Sequence, residues 1–274
     1  GGLSLLILAE YLVIFPFPVD PHPMPAYYSS LADEAVPGGI LEMPVVGSRR
    51  ASNYAMYYQT RHEHPLAGGY IERDPPGTVE LKEFLNQLVS PITPQVVLAV
   101  PDPAARRAIL TGMGIEQVIA HPALMTDRAA RTTLDYLPRL LAPPIFEDKD
   151  TLVYAIQSGT ALVGEEVETW TVLPDQESWE VVKEGAAFRL KEEGYLFFYG
   201  AGPERVQVQL RFEPLPAPTT LKLGLNEAAE KAYLIEPASG GLVLSLTLSR
   251  GFNYVRLSTT PSQEIDFTEI LVRD

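Results

Sequence analysis

Apolar and polar positions alternate along this chain in two different rhythms, and the change falls near residue 158. Before that point, short apolar runs take turns with stretches of helical spacing. Ile40 to Val46 reads as a strand, broken by Pro44, and Ala51 to Glu63 has helix-like composition. In Val79 to Val89 the residues Leu81, Phe84, Leu85 and Leu88 recur at the three-and-four spacing of an amphipathic helix. Val96 to Val100 is continuously apolar, as a strand covered on both faces would be. Pro103 opens a helix that ends near Gly112, and Ile115 to Ala120 is a further strand. Asp127 is placed to cap a helix whose Ala130, Leu134, Leu137 and Leu141 share a face, with Pro138 expected to kink or shorten it. Strands around Ile145-Phe146 and Leu152 to Ile156 close the unit. Such alternation predicts an α/β domain, with a mostly parallel sheet in Rossmann-like layers, over residues 26–157.

Beyond residue 158 the period becomes two. Val206, Val208, Leu210 and Phe212 alternate with Gln207, Gln209 and Arg211, and Leu242, Leu244, Leu246 and Leu248 alternate with Val243, Ser245 and Thr247. Further strands are predicted at 167–172, 187–190, 195–199, 221–225, 232–235, 254–257 and 265–272. Many short strands at this spacing predict an all-β antiparallel sandwich, jelly-roll-like, over residues 158–274.

The first residues stand apart. Leu3 to Phe15 is an apolar run interrupted by Glu10, shorter than the ~20 residues that a spanning helix needs. It lacks the basic start and small-residue cleavage site of a signal peptide. It reads as the outer end of a transmembrane helix, with Tyr11 and Phe15 in the interfacial belt. Pro16, Pro18, Pro21, Pro23 and Pro25 then form a stiff connector, so residues 1–25 are a membrane end plus linker. A buried first element of the soluble fold is the alternative.

Charge and composition exclude several classes. The formal net charge is −14 and no basic run exceeds Arg49-Arg50, which argues against nucleic acid as a partner. There is no cysteine, hence no disulfide and no thiolate metal site. Gly112-Met113-Gly114 stands between a helix and a strand, the wrong order for a dinucleotide fingerprint, and no cofactor is implied. The densest polar and aromatic stretch is Tyr57 to Pro65, continuing through Gly68-Gly69-Tyr70. His62 and His64 have no third ligand at a recognised spacing, so no metal is assigned. Glu42 is an acid inside an apolar strand and needs a partner, with Arg61, Arg73 and His62 as candidates. Glu42, Tyr58, Gln59 and His62 are expected to converge at the carboxyl edge of the sheet, either lining a ligand cleft or bracing the fold by mutual pairing. Trp170, Trp179, Tyr195 and Phe197 to Tyr199 fit a sandwich core better than a sugar-stacking face. No nucleophile elbow or Ser-His-Asp order occurs, and no catalytic residue is assigned.

One set of motifs carries a resemblance. It comprises Phe15-Pro16-Phe17-Pro18, Tyr28 to Leu31, Ile40-Leu41-Glu42-Met43-Pro44, Tyr58-Gln59-Thr60 with His62 and Pro65, Gly69-Tyr70, Met113-Gly114-Ile115 with Val118, Ile119 and His121, and finally Asp150, Leu152 and Tyr154. Over residues 5–157 the chain resembles the C-terminal soluble region of polytopic bacterial membrane proteins of the glycosyltransferase-like kind, which depend on polyprenyl-phosphate sugars. The resemblance implies an extracytoplasmic accessory or glycan-recognition region, joined to its own membrane domain, with catalysis elsewhere. A saccharide or lipid-linked sugar is the implied ligand. A structural or interaction region without sugar chemistry is the other reading.

Overall fold

In the computed structural model the described residues are 24–32, 38–45, 49–67, 77–91, 102–125, 128–156, 171–174, 179–182, 187–200, 203–260 and 262–273. The expectations for residues 1–23, for the strand at 96–100 and for the cap at Asp127 fall outside them. Among the described residues no helix is long and apolar enough to cross a membrane.

The first lobe runs α1 (Ala26–Leu31), β1 (Gly39–Met43), α2 (Arg49–His62), β2 (Leu66–Ala67), α3 (Thr78–Val89), α4 (Pro103–Gly112), β3 (Ile115–Ala120), α5 (Arg128–Leu141), β4 (Phe146–Glu147) and β5 (Leu152–Ala155). Local chemistry explains several boundaries. Asp102 accepts a hydrogen bond from the Ala105 backbone N–H at 2.8 Å, and Pro103 opens α4 at a position where no N–H is needed. Pro138 does not end α5, because its missing bond falls in the last turn and buried Leu137, Leu140 and Leu141 hold that turn in place. The helix stops at Ala142, whose φ is 76°.

The sheet has the order β2-β1-β3-β5-β4. β1 is parallel to both β2 and β3, whereas β5 is antiparallel to β3 and β4. The expected mostly parallel sheet is therefore a mixed one. The cause is the short connection from β4 to β5. Asp148 accepts from the backbone N–H groups of Asp150 and Thr151 at 2.9 and 2.7 Å, closing a tight turn that can only reverse the strand. Alternation along β1 sends Ile40 to one face, with Tyr28, Tyr58, Ile119 and Val153. Leu41 and Met43 go to the other, with Phe84, Leu85, Leu88, Ile109 and Leu137.

The second lobe contains β6 (Thr171–Pro174), β7 (Trp179–Val182), β8 (Ala187–Leu190), β9 (Glu193–Gly200), β10 (Glu204–Phe212), β11 (Thr219–Leu225), β12 (Lys231–Ile235), β13 (Gly241–Leu248), β14 (Gly251–Thr260) and β15 (Ile265–Arg273). They form two five-stranded sheets, β13-β10-β15-β8-β7 and β12-β11-β14-β9-β6. Every pairing in them is antiparallel. If the last eight strands are lettered B to I in chain order, the sheets read B-I-D-G and C-H-E-F, the connectivity of a jelly roll. Inward residues follow the period of two: Val206, Val208, Leu210 and Phe212 of β10 face Leu244, Leu246 and Leu248 of β13 within one core. Trp179 lies in that core, its ring 5.3 Å from Phe267.

The two lobes share a seam. On β9 and β14, Leu196, Phe198, Val255 and Leu257 point into the jelly roll, while Phe197 and Tyr254 belong to the α/β core. Phe84 of α3 meets Phe197 at 6.1 Å, Tyr199 at 6.3 Å and Phe252 at 5.1 Å between ring centroids. Phe198 and Phe197 of β9 are thus buried on opposite faces of the strand, one in the sandwich core and one in the seam, with Tyr195 and Tyr199 partly buried beside Phe197.

Candidate functional site

The strand order creates a reversal. From β1 the chain passes through α2 to β2 on one side, then returns through α3 and α4 to β3 on the other. In open α/β sheets the crevice beyond the carboxyl ends of two such strands is where ligands bind. Glu42 stands at the end of β1 and His121 directly follows β3, so both side chains occupy that position.

What fills the crevice is α1. Tyr28 is fully buried; its phenol donates to Glu42 Oε1 at 2.7 Å and lies 3.0 Å from His121 Nε2. His121 Nε2 is in turn 2.7 Å from Glu42 Oε2. A carboxylate oxygen and a phenol oxygen both face Nε2, so that nitrogen carries the proton and donates. Both carboxylate oxygens are satisfied inside a closed triangle. The Tyr28 ring stacks on Tyr58 with centroids 4.4 Å apart, and neighbouring Tyr27 donates to Gln117 on β3 at 2.9 Å. Burial, reinforced by Glu42, pushes the Tyr28 hydroxyl far above its ordinary titration range, and the same two causes raise Tyr58. Tyr28 therefore remains a donor.

The four expected site residues separate into different roles. Glu42 pairs with Tyr28 and His121 rather than with Arg61 or His62, and Arg73 lies outside the described residues. Tyr58 contributes its ring to the stack. Gln59 donates to the His64 carbonyl at 3.1 Å, shaping the turn after α2. His62 is buried, with its ring 5.6 Å from Tyr28; its Nδ1 accepts from the His64 backbone N–H at 3.0 Å, while its Nε2 has no partner among the described residues. Burial holds His62 below the ordinary histidine range; Glu42 opposes this and His64 adds to it. Sequence reasoning did not see the part played by Tyr28. The signal available was two adjacent tyrosines ahead of a strand carrying an unpaired acid. Among the described residues no group of acidic or histidine side chains is placed to hold a metal ion. The arrangement can brace and orient: each oxygen of the buried Glu42 carboxylate already holds a partner, Tyr28 on one and His121 on the other.

A second polar feature lies at one end of the jelly roll. Lys191, Glu192, Glu193, Ser262 and Glu264 line an open cleft of about 570 Å³ between the β8–β9 and β14–β15 connections. Arg256 grips Glu193 there with two bonds of 2.7 and 2.8 Å.

No family model matches the chain, and no curated protein matches it. Among solved structures, a family 35 carbohydrate-binding module from an environmental isolate is similar at 15% identity and a TM-score of 0.28, covering 30% of this chain and 65% of that one. A family 35 module from Cellvibrio japonicus is similar at 13% identity and a TM-score of 0.30, covering 39% of this chain and 94% of that one. An exo-β-1,3-galactanase from Phanerochaete chrysosporium, solved with β-1,3-galactotriose, is similar at 15% identity and a TM-score of 0.28, covering 39% of this chain and 26% of that one. The chain thus spans about two thirds of the first of these structures and a quarter of the galactanase.

Proposed function

We propose that this chain is a non-catalytic, extracytoplasmic accessory region of a bacterial membrane protein of the glycosyltransferase-like kind, with sugar transfer carried out elsewhere in that protein. The observation that carries the reading is the occupation of the sheet's carboxyl edge by α1. The segment that follows the proline-rich connector inserts Tyr28 between Glu42 and His121 and buries Tyr27 and Leu31 beside it. This is a mounting, which fixes the lobe to the connector. It uses the one acid on β1 for a structural bond. The jelly roll is the part that faces a saccharide or lipid-linked sugar, through hydroxyl-pairing groups such as Lys191, Glu193 and Ser262. The alternative, a structural or interaction region without sugar chemistry, draws support from the seam, because Phe197 and Tyr254 are buried against α3 instead of being open for sugar stacking.

Glu42→Gln in the full-length protein tests the reading. The amide places a donor against His121, so stability falls by about 1.5–3 kcal/mol, the worth of a charged hydrogen bond. Transfer to lipid-linked acceptors per folded molecule stays unchanged. A variant that keeps its melting temperature but loses transfer assigns Glu42 to catalysis and ends the proposal. Calorimetric titration of the region with methyl glycosides and a short-chain polyprenyl-phosphate hexose separates the two readings: heat that disappears in Lys191→Ala supports recognition, and no heat with any of them leaves the structural reading.

A further inference from the structure

We infer that α1 is an acid-released latch, and that His62 is the group that releases it. The inference concerns how the mounting is regulated and stands whether or not a saccharide binds. The latch has two holds. Tyr28 is pinned to Glu42 and His121, and the carbonyl of Leu31, the last residue of α1, is 3.1 Å from His64 Nε2. His62 lies between them, with ring centroids 5.6 Å from both Tyr28 and His64.

Geometry fixes its protonation. Nδ1 accepts the His64 backbone N–H, so the single proton of the neutral ring sits on Nε2. A second proton would have to enter at Nδ1, directly against that N–H. It would break the bond and leave a cation that is 3% exposed, with no acceptor on Nε2 among the described residues. The titratable groups around the ring are Tyr28 of α1, Glu42 of β1, Tyr58 one turn earlier on α2 and His64 in the following turn. Glu42 attracts the cation, but both of its oxygens are committed to Tyr28 and His121. Opening α1 removes Tyr28 from the face of the ring, admits water and lets His62 protonate. The sign follows from linkage: the closed latch binds fewer protons than the open one, so its stability is complete above the ordinary histidine value of ~6.5 and declines as pH falls below it.

Hydrogen exchange of the α1 amides in the 274-residue chain, followed by mass spectrometry and corrected for intrinsic rates, tests the inference. The expected result is a loss of protection that steepens toward about tenfold per pH unit below ~6.5, the slope of one linked proton. His62→Phe retains the ring stack without the titration and is expected to flatten the profile. Protection that is the same at pH 7.5 and 5.5, or a slope that survives in His62→Phe, overturns the inference. Should that variant fail to fold, nitrogen-resolved NMR of the unmodified protein decides: a neutral Nε2-protonated His62 persisting below the ordinary value supports the latch, and a midpoint at or above that value refutes it.

Discussion

Phe84→Ala is the perturbation that best tests how the molecule is held together. Phe84 is fully buried on α3 and meets three rings of the jelly roll, Phe197, Tyr199 and Phe252, at 5.1 to 6.3 Å. Truncating a core phenylalanine costs about 3–5 kcal/mol in transfer and cavity terms, and the lost aromatic pairs, about 0.5–1.5 kcal/mol each, fall within that figure. Against a typical stability of about 5–15 kcal/mol this is a large share. It falls on a side chain that belongs to the core of the first lobe and also carries the coupling between the lobes. The assay is urea unfolding followed by two signals. All five described helices lie in the first lobe, so far-ultraviolet dichroism reports chiefly on it, and both tryptophans, Trp170 and Trp179, lie after residue 158. In the unmodified protein the two transitions coincide. In the variant the helical transition moves to lower urea by about 1.5–2.5 M, taking a slope of about 2 kcal/mol per molar, while the tryptophan transition moves less. Transitions that still coincide, with a midpoint shift below about 0.5 M, or ~1 kcal/mol on the same slope, would show that the seam does not couple the lobes.

Two further outcomes follow from the jelly roll. A Cβ on Gly241 would lie 2.7 Å from the Leu210 carbonyl oxygen, backbone against backbone, so Gly241→Ala should force β13 off β10 at a cost of about 1–3 kcal/mol; an unchanged thermal midpoint would contradict this. Hydrogen bonds from Arg256 hold the Glu193 carboxyl below its usual range, so their stabilisation is complete above the ordinary glutamate value and fades as pH falls through the lowered one. Arg256→Ala should return Glu193 to ordinary titration in carbon-detected NMR, and an unmoved midpoint would refute the pairing.

The jelly roll was legible because each strand has one face in a core and the other in water or against a neighbour, which writes a period of two into the sequence. Val206 to Phe212 is the clearest case. The strand Trp179–Val182 was not expected. Its four residues are too few to show a period, and its place is set by pairing with β8. The helix α1 could not be read, since Ala-Tyr-Tyr-Ser-Ser-Leu has no side-chain cap and two tyrosines better suited to strands. It is helical because Tyr27, Tyr28 and Leu31 are buried together by the rest of the fold. The need of Glu42 for a partner was evident from its setting, but the partners stand 14 and 79 residues away, and local pattern says nothing about contacts at such separations. The mixed sheet was hidden for a similar reason: apolar strands look alike whichever way they run, and only the Asp148 turn distinguishes them. On β9 the run Leu196-Phe197-Phe198 told of burial without telling that each face belongs to a different core.

That last arrangement bears on whether the jelly roll is portable. The rhythm of the chain changes near residue 158, yet the packing continues across that point: β9 and β14 close the interior of the sandwich and, with their other faces, complete the interior of the α/β lobe. A fragment severed at the change of rhythm would carry Phe197, Phe252 and Tyr254 into water as a contiguous apolar surface of the sort that drives self-association. The remaining lobe would lose the cover over Phe84. Covalent order suggests two interchangeable modules, but recombination that moved one without the other would have to invent a new wall for each.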